Sequence, residues 1–151
     1  MRLNRLSLLV LALQFSGAIA APRFEDFPAA NYAGQPAKVR LADARSRLYA
    51  SRLRAASQGS PDFAGRHILA MWGCGTSCVM AAAIDTKTGA VAWLPFTVCC
   101  WDLSISEPLE HRRDSRLLIV HGSRDEKGPG NAVHYYAFDG RKFSPLKVES
   151  R

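Results

Sequence analysis

The chain is poor in the patterns that announce a chemistry. Its four cysteines form no Cys-x-x-Cys pair, so no thiol opens a helix whose dipole would lower its pKa. No Gly-x-Ser-x-Gly run is present, and neither Ser115 nor Ser123 stands at a strand-to-helix elbow, which leaves a serine hydrolase unsupported. His67, His111, His121 and His134 fall at no metal-ligand spacing. No repeat or low-complexity tract occurs, which excludes solenoids and propellers; one stretch, residues 82–94, is built like a propeller-blade hairpin, but a single copy cannot build the fold. A basic-aromatic recognition motif is also missing, so nucleic acid is not an expected partner.

Long apolar runs are absent too, and the one short run is informative. Residues 6–15 are largely apolar, Arg2 and Arg5 precede them, and Ala18-Ile19-Ala20 supplies a small-x-small site. That order predicts a secretory signal peptide over residues 1–20, since the run is too short to span a bilayer, which takes roughly 20 residues. No cysteine stands at the cleavage point, so neither a lipid anchor nor a transmembrane anchor after cleavage is expected. The predicted location is the periplasm or the exterior, where cysteines oxidise.

Acidic residues are fewer than basic ones, 13 against 20, and removing Arg2 and Arg5 lowers the formal net charge from +7 to +5. The excess lies in residues 22–60, which hold seven basic and three acidic residues. A basic field there steers anionic partners, although ordinary solubility explains it as well.

The chain reads as one domain. Residues 21–35, with two prolines and no periodicity, predict an irregular arm, and residues 36–151 a single α+β domain, mainly β. Leu41, Ala44, Leu48 and Ala55 recur at helical spacing, which predicts one basic helix over residues 41–57, stopped at Gln58-Gly59-Ser60-Pro61. After Pro61, β-type runs at 66–72, 78–84, 90–96, 116–121, 132–138 and 141–148 predict about six strands. An N-terminal helix packed on an antiparallel meander is the expected fold. Asp139-Gly140 is read as a two-residue hairpin loop, residues 101–114 as irregular, and residues 123–131 as a mobile hairpin loop.

The cysteines are the one constellation present. A hairpin centred on Thr76 sets Cys74 opposite Cys78, and the next, centred on Lys87, brings Phe96 beside Cys78 and leaves Cys99 and Cys100 just past the same sheet end. Three pairings are then open. Closing the Cys74 to Cys78 loop stabilises by about 2 kcal/mol, and a bond from Cys74 to Cys99 by about 3.5 kcal/mol. Structural bridges are preferred over a redox dithiol, for want of an activating helix, and over a tetrathiolate zinc site, for want of paired knuckles.

The residues Met71-Trp72-Gly73-Cys74-Gly75-Thr76-Ser77-Cys78, with Phe63-Ala64-Gly65, Ala83-Ile84-Asp85 and Tyr135-Tyr136-Ala137-Phe138-Asp139-Gly140, resemble a group of small exported bacterial proteins with a WGCG-T-x-C turn. The group carries no assigned activity, so no functional residue transfers. The resemblance implies export, a β-rich fold and a Cys74–Cys78 bridge, which leaves Cys99 and Cys100 as a vicinal bond or a thiol pair. Arg66-His67 and Cys99-Cys100 depart from the group's pattern.

The expected function is a disulfide-stapled, non-enzymatic binding or inhibitory module of the cell envelope. Its surface is placed at the cysteine end, on Trp72, Thr76, Ser77 and Trp101. An envelope protein or glycan is the expected partner, the chain is expected to be a monomer, and no catalytic residue, cofactor or metal is assigned. The alternative is an enzyme, either a thiol–disulfide exchanger or a small hydrolase that uses the histidines with Asp102, Glu107 or Glu110. A histidine and a carboxylate within hydrogen-bond reach in one pocket would favour the enzyme.

Overall fold

A computed structural model describes residues 20–150, so the leader expected over residues 1–20 lies, Ala20 apart, outside the described residues. The chain is mainly β and builds two antiparallel sheets. One sheet contains β1 (His67–Gly75), β2 (Cys78–Asp85), β3 (Val91–Trp93), β4 (Val98–Cys99) and β7 (Ser123–Arg124). The other is ordered β5 (Leu109–Glu110), β6 (Leu117–His121), β8 (Ala132–Phe138) and β9 (Phe143–Ser150). Among the described residues no helix is long and apolar enough to cross a membrane.

Among the described residues nine strands therefore replace the expected six, and two sheets replace one meander. The three additions, β4, β5 and β7, are two residues long, below the length at which alternation can be recognised. The chain changes sheets at Gly122, between His121 of β6 and Ser123 of β7. Its φ of +113° suits glycine, and a Cβ there would lie 2.5 Å from the carbonyl oxygen of Cys99.

The two sheets share a core. Leu69, Ala81, Ala83, Leu94, Phe96 and Val98 of the first pack against Leu118, Val120, Tyr136, Phe138 and Phe143 of the second, with Phe63 among them. β2 is central and covered on both faces, which is why residues 80–85 form an almost unbroken apolar run. On its outer face Ala82 and Ile84 join Ile68 and Ala70 under Leu53. On the outer face of the second sheet Leu117, Val133 and Tyr135 lie under Ala21, Phe24 and Phe27 of the arm.

The arm is tied down by hydrogen bonds as well as by these side chains. The buried Ser115 hydroxyl donates to the carbonyls of Phe24 and Phe27 at 2.8 and 3.1 Å, and the Ala29 amide donates to the Asp114 carbonyl. At Gly65, with φ +77°, a Cβ would lie 1.9 Å from the Ala30 carbonyl oxygen, so the arm closes on a position that has room only for hydrogen.

The helical segment differs from expectation in three ways. It is not N-terminal, because the arm precedes it. It is also two short helices, α1 (Ala44–Leu48) and α2 (Ala50–Ala56), with Tyr49 between them out of helical conformation. The buried face is a different one as well. Leu48 is 77% exposed while Leu53 is fully buried, and the residues turned to the sheet are Ser46, Tyr49 and Leu53. Ser46 conceals this stripe because it is polar. Its hydroxyl donates to Asp43, the N-cap of α1, and accepts from Trp93 Nε1, so it is buried at no loss of hydrogen bonding.

The turn between β8 and β9 is longer than the two residues expected. Phe138 pairs with Phe143, and the Asp139 carboxylate accepts the amides of Arg141 and Lys142, so aspartate organises a four-residue loop.

Candidate functional site

The cysteines converge on one end of the first sheet, but they pair differently from the expectation. Cys78 and Cys99 form the disulfide, with Cα atoms 4.1 Å apart, and Cys74 and Cys100 are free and exposed. Two register details cause the change. The β1–β2 hairpin keeps its centre at Thr76 as far as Gly73, which pairs with Val79, but Gly75 then pairs with Cys78 and Cys74 is left as the extra residue of a bulge. On the other side, β3 pairs Ala82 with Trp93, whereas β4 pairs Val79 with Val98 and Cys78 with Cys99. The chain around Pro95 takes up two residues and sets Cys99 directly opposite Cys78. With Cys99 in the bridge, Cys99 and Cys100 form neither a vicinal bond nor a thiol pair.

The bridge is roofed by an acidic turn. Glu126 Oε1 lies 3.7 Å from Cys78 Sγ, and Asp125 holds the turn by accepting the Thr97 amide and hydroxyl at 2.8 and 3.2 Å. Asp125 and Glu126 both have positive φ, +50° and +60°. At Cys74, burial and the Glu126 charge push the thiol above its ordinary value, which makes it a poor nucleophile at neutral pH. Cys100, also at positive φ, is held by its amide donating to the Ser77 carbonyl.

The structure does not assemble Trp72, Thr76, Ser77 and Trp101 into one surface. Trp72 faces outward with the helices, its ring 5.4 Å from Tyr49 and 5.7 Å from Trp93, with Arg45 stacked 4.2 Å over Trp93. Trp101 packs instead against the core between the sheets. Thr76 and Ser77 are exposed at the hairpin turn between them. Trp72 stands on β1, whereas Trp101 lies past the end of β4, in the loop that begins after Cys100 at positive φ.

Next to Trp101, the loop that follows it covers a polar groove. A cavity of about 190 Å³ is lined by Asp102, Ser104, His121 and Asn131 among others, and a second of about 330 Å³, sharing Ser104 and Ile105, by Ser106, Glu107 and Glu110. The Ser104 hydroxyl and amide both donate to Asp102 and hold its carboxyl below the usual range. Glu110 Oε1 lies 2.5 Å from His121 Nε2. The histidine and the carboxylate are within hydrogen-bond reach, as the enzyme reading asks, but they line two adjoining cavities rather than one pocket. The remaining ring nitrogen, Nδ1, is buried without a partner, so neither nitrogen is open to a substrate in the cavity.

The other histidines are structural in the same sense. His134, across β6 and β8 from Val120, lies on the opposite face from His121, and its Nε2 contacts the Gly122 carbonyl. His67 is buried with its Nδ1 on the Ala64 carbonyl, and burial pushes its pKa down. It lines a crevice of about 270 Å³ with Arg66 and Arg116. Arg66 is already held bidentately by Asp85 at 3.0 and 3.1 Å, which reduces its charge toward that crevice.

Sequence reading missed Tyr49, Trp93, Asp125 and Glu126. Asp-Glu at 125–126 carries no periodic signal, and it acquires meaning only through the pairing of β7 with β4. Comparison of the chain with protein-family models, with curated proteins and with solved structures finds no match.

Proposed function

We propose that the chain is an exported, disulfide-stapled binding module of the cell envelope, non-enzymatic, whose groove beside Trp101 takes a hydroxyl-rich ligand such as an envelope glycan. One observation carries the reading: Asp102, Ser104, Ser106, Glu107, Glu110 and Asn131 line adjoining cavities with hydrogen-bonding groups. Small polar ligands such as sugars are recognised by such convergent donors and acceptors. Export and the glycan are part of the proposal. Co-sedimentation of the full chain with insoluble envelope polysaccharide tests it. The pelleted fraction should fall several-fold when Asp102→Ala and Ser104→Ala are combined; absence of sedimentation, or equal sedimentation of the variant, overturns it.

A second reading, a small hydrolase, draws on the contact between His121 and Glu110. It requires the ring to turn and present a nitrogen to water. Turnover of ester or glycoside probes by the full chain, lost in His121→Gln, would replace the binding reading with this one.

A further inference from the structure

We propose that opening the Cys78–Cys99 bond turns this end of the sheet into a binding site for a thiophilic divalent cation such as zinc, with Cys78, Cys99 and Glu126 as ligands. The three side chains bring their donor atoms within 4.8 Å of one another. Zinc binds thiolate at about 2.3 Å and carboxylate at about 2.1 Å, so a tetrahedral centre sets sulfur and oxygen about 3.6 Å apart. Glu126 Oε1 already stands 3.7 Å from Cys78 Sγ. Two sulfurs on one tetrahedral zinc are about 3.8 Å apart, a separation that side-chain rotation on directly paired residues supplies once the bond is gone.

The carboxylate is held in place by the fold. Asp125 anchors the turn to Thr97 through both its backbone and its carboxylate, and two successive non-glycine residues at positive φ carry Glu126 over the sulfurs. Glu126 is exposed, so a cation reaches the site from its side, while Cys99 beneath is fully buried. The fourth position falls to water. Cys100 is not a ligand.

The chemistry balances with a named reductant. A phosphine reduces the disulfide to two thiols and becomes a phosphine oxide with the oxygen of one water, whose two protons go to the two sulfurs. The cation then displaces those protons and binds two thiolates and the carboxylate. Exchange with an added disulfide such as oxidised glutathione, which takes up the two electrons and leaves as two thiolates, reforms the bond and expels the metal, so occupancy reports the redox state.

Cobalt(II) titration of the full chain, with and without phosphine reduction, tests the proposal. Thiolate-to-cobalt charge-transfer absorption and the visible bands of a tetrahedral ion should appear at one ion per reduced chain and not in the oxidised chain. Glu126→Gln should weaken binding about tenfold or more, given that even an outer partner is worth about tenfold. Cys100→Ser should leave it unchanged, and zinc should displace cobalt and raise the melting temperature of the reduced chain. Absence of the bands in the reduced parent, or a loss of affinity in Cys100→Ser, overturns the site. So does equal affinity in Glu126→Gln, which is also what a reduced and unfolded chain binding through loose thiols would give.

Discussion

Cys78 stands directly across two antiparallel strands from Cys99, with Glu126 against its sulfur. The bond closes a loop of sequence separation 21. Loop-closure entropy for that length amounts to about 3 kcal/mol. Replacing both residues by serine should therefore lower unfolding stability by about 3 kcal/mol in urea titration, whereas Cys74→Ser and Cys100→Ser should each stay within about 0.5 kcal/mol. Non-reducing peptide mapping should recover the 78–99 peptide and alkylate Cys74 and Cys100. A peptide joining Cys74 to Cys78 would contradict the assignment.

The helices offer a second test. Leu53 is wholly enclosed by Ile68, Ala70, Ala82 and Ile84, while Leu48 projects outward. Leu53→Ala should cost about 2–5 kcal/mol and Leu48→Ala less than about 0.5 kcal/mol. Equal costs would return the buried face to the Leu41, Ala44, Leu48 stripe.

His111 gives a pH dependence with a definite sign. Burial works toward the neutral ring, but the Asp62 side chain, the Leu109 carbonyl and the Asp62 and Glu107 charges outweigh it, so the folded pKa is raised. A raised histidine contributes stability that is fully present below the unfolded value near 6.5 and is lost as pH rises through the folded pKa. The melting-temperature loss caused by His111→Gln should accordingly be larger at pH 5.5 than at pH 8.5. His67 and His134, both lowered, act in the opposite sense in parent and variant alike, so the difference between the two proteins isolates His111. A loss that grows with pH would show the sign to be wrong.

Gly65 tests the seating of the arm. A methyl group at this position meets the Ala30 carbonyl and sits at positive φ, whereas at Gly140 the φ is also positive but the space is open. Gly65→Ala should destabilise by about 1–3 kcal/mol and expose residues 21–35 to protease, with a smaller effect at Gly140→Ala. Equal protection of the arm in parent and Gly65 variant would mean that the arm is not held there.

Much of the fold was legible where alternation runs long. The strands β1, β2, β6, β8 and β9 lie within three residues of the apolar runs, and the hairpin centre at Thr76 follows from the sequence alone. What was not legible depends on single-residue events. A bulge at Cys74 and a slip of two residues near Pro95 decide the disulfide, and neither changes composition or period. Ser46 hid the helix face because a polar residue is not counted as core until its partners, Asp43 and Trp93, are known. The groove was half legible: Asp102, Glu110 and His121 were named, but the contact of Glu110 with His121 needs the register of β5 on β6, and β5 is too short to register.

The arm carries a consequence for the order in which the molecule comes together. Its carbonyls at Phe24 and Phe27 wait for a hydroxyl 91 and 88 residues downstream, and its rings wait for Leu117, Val133 and Tyr135. During synthesis the arm therefore emerges first and docks last, after β6 and β8 have met, and it acts as a closing latch on a sheet already formed. Contacts of such span tie completion of folding to the arrival of the C-terminal half, so a chain arrested before residue 115 holds its first aromatic residues with nowhere to bury them.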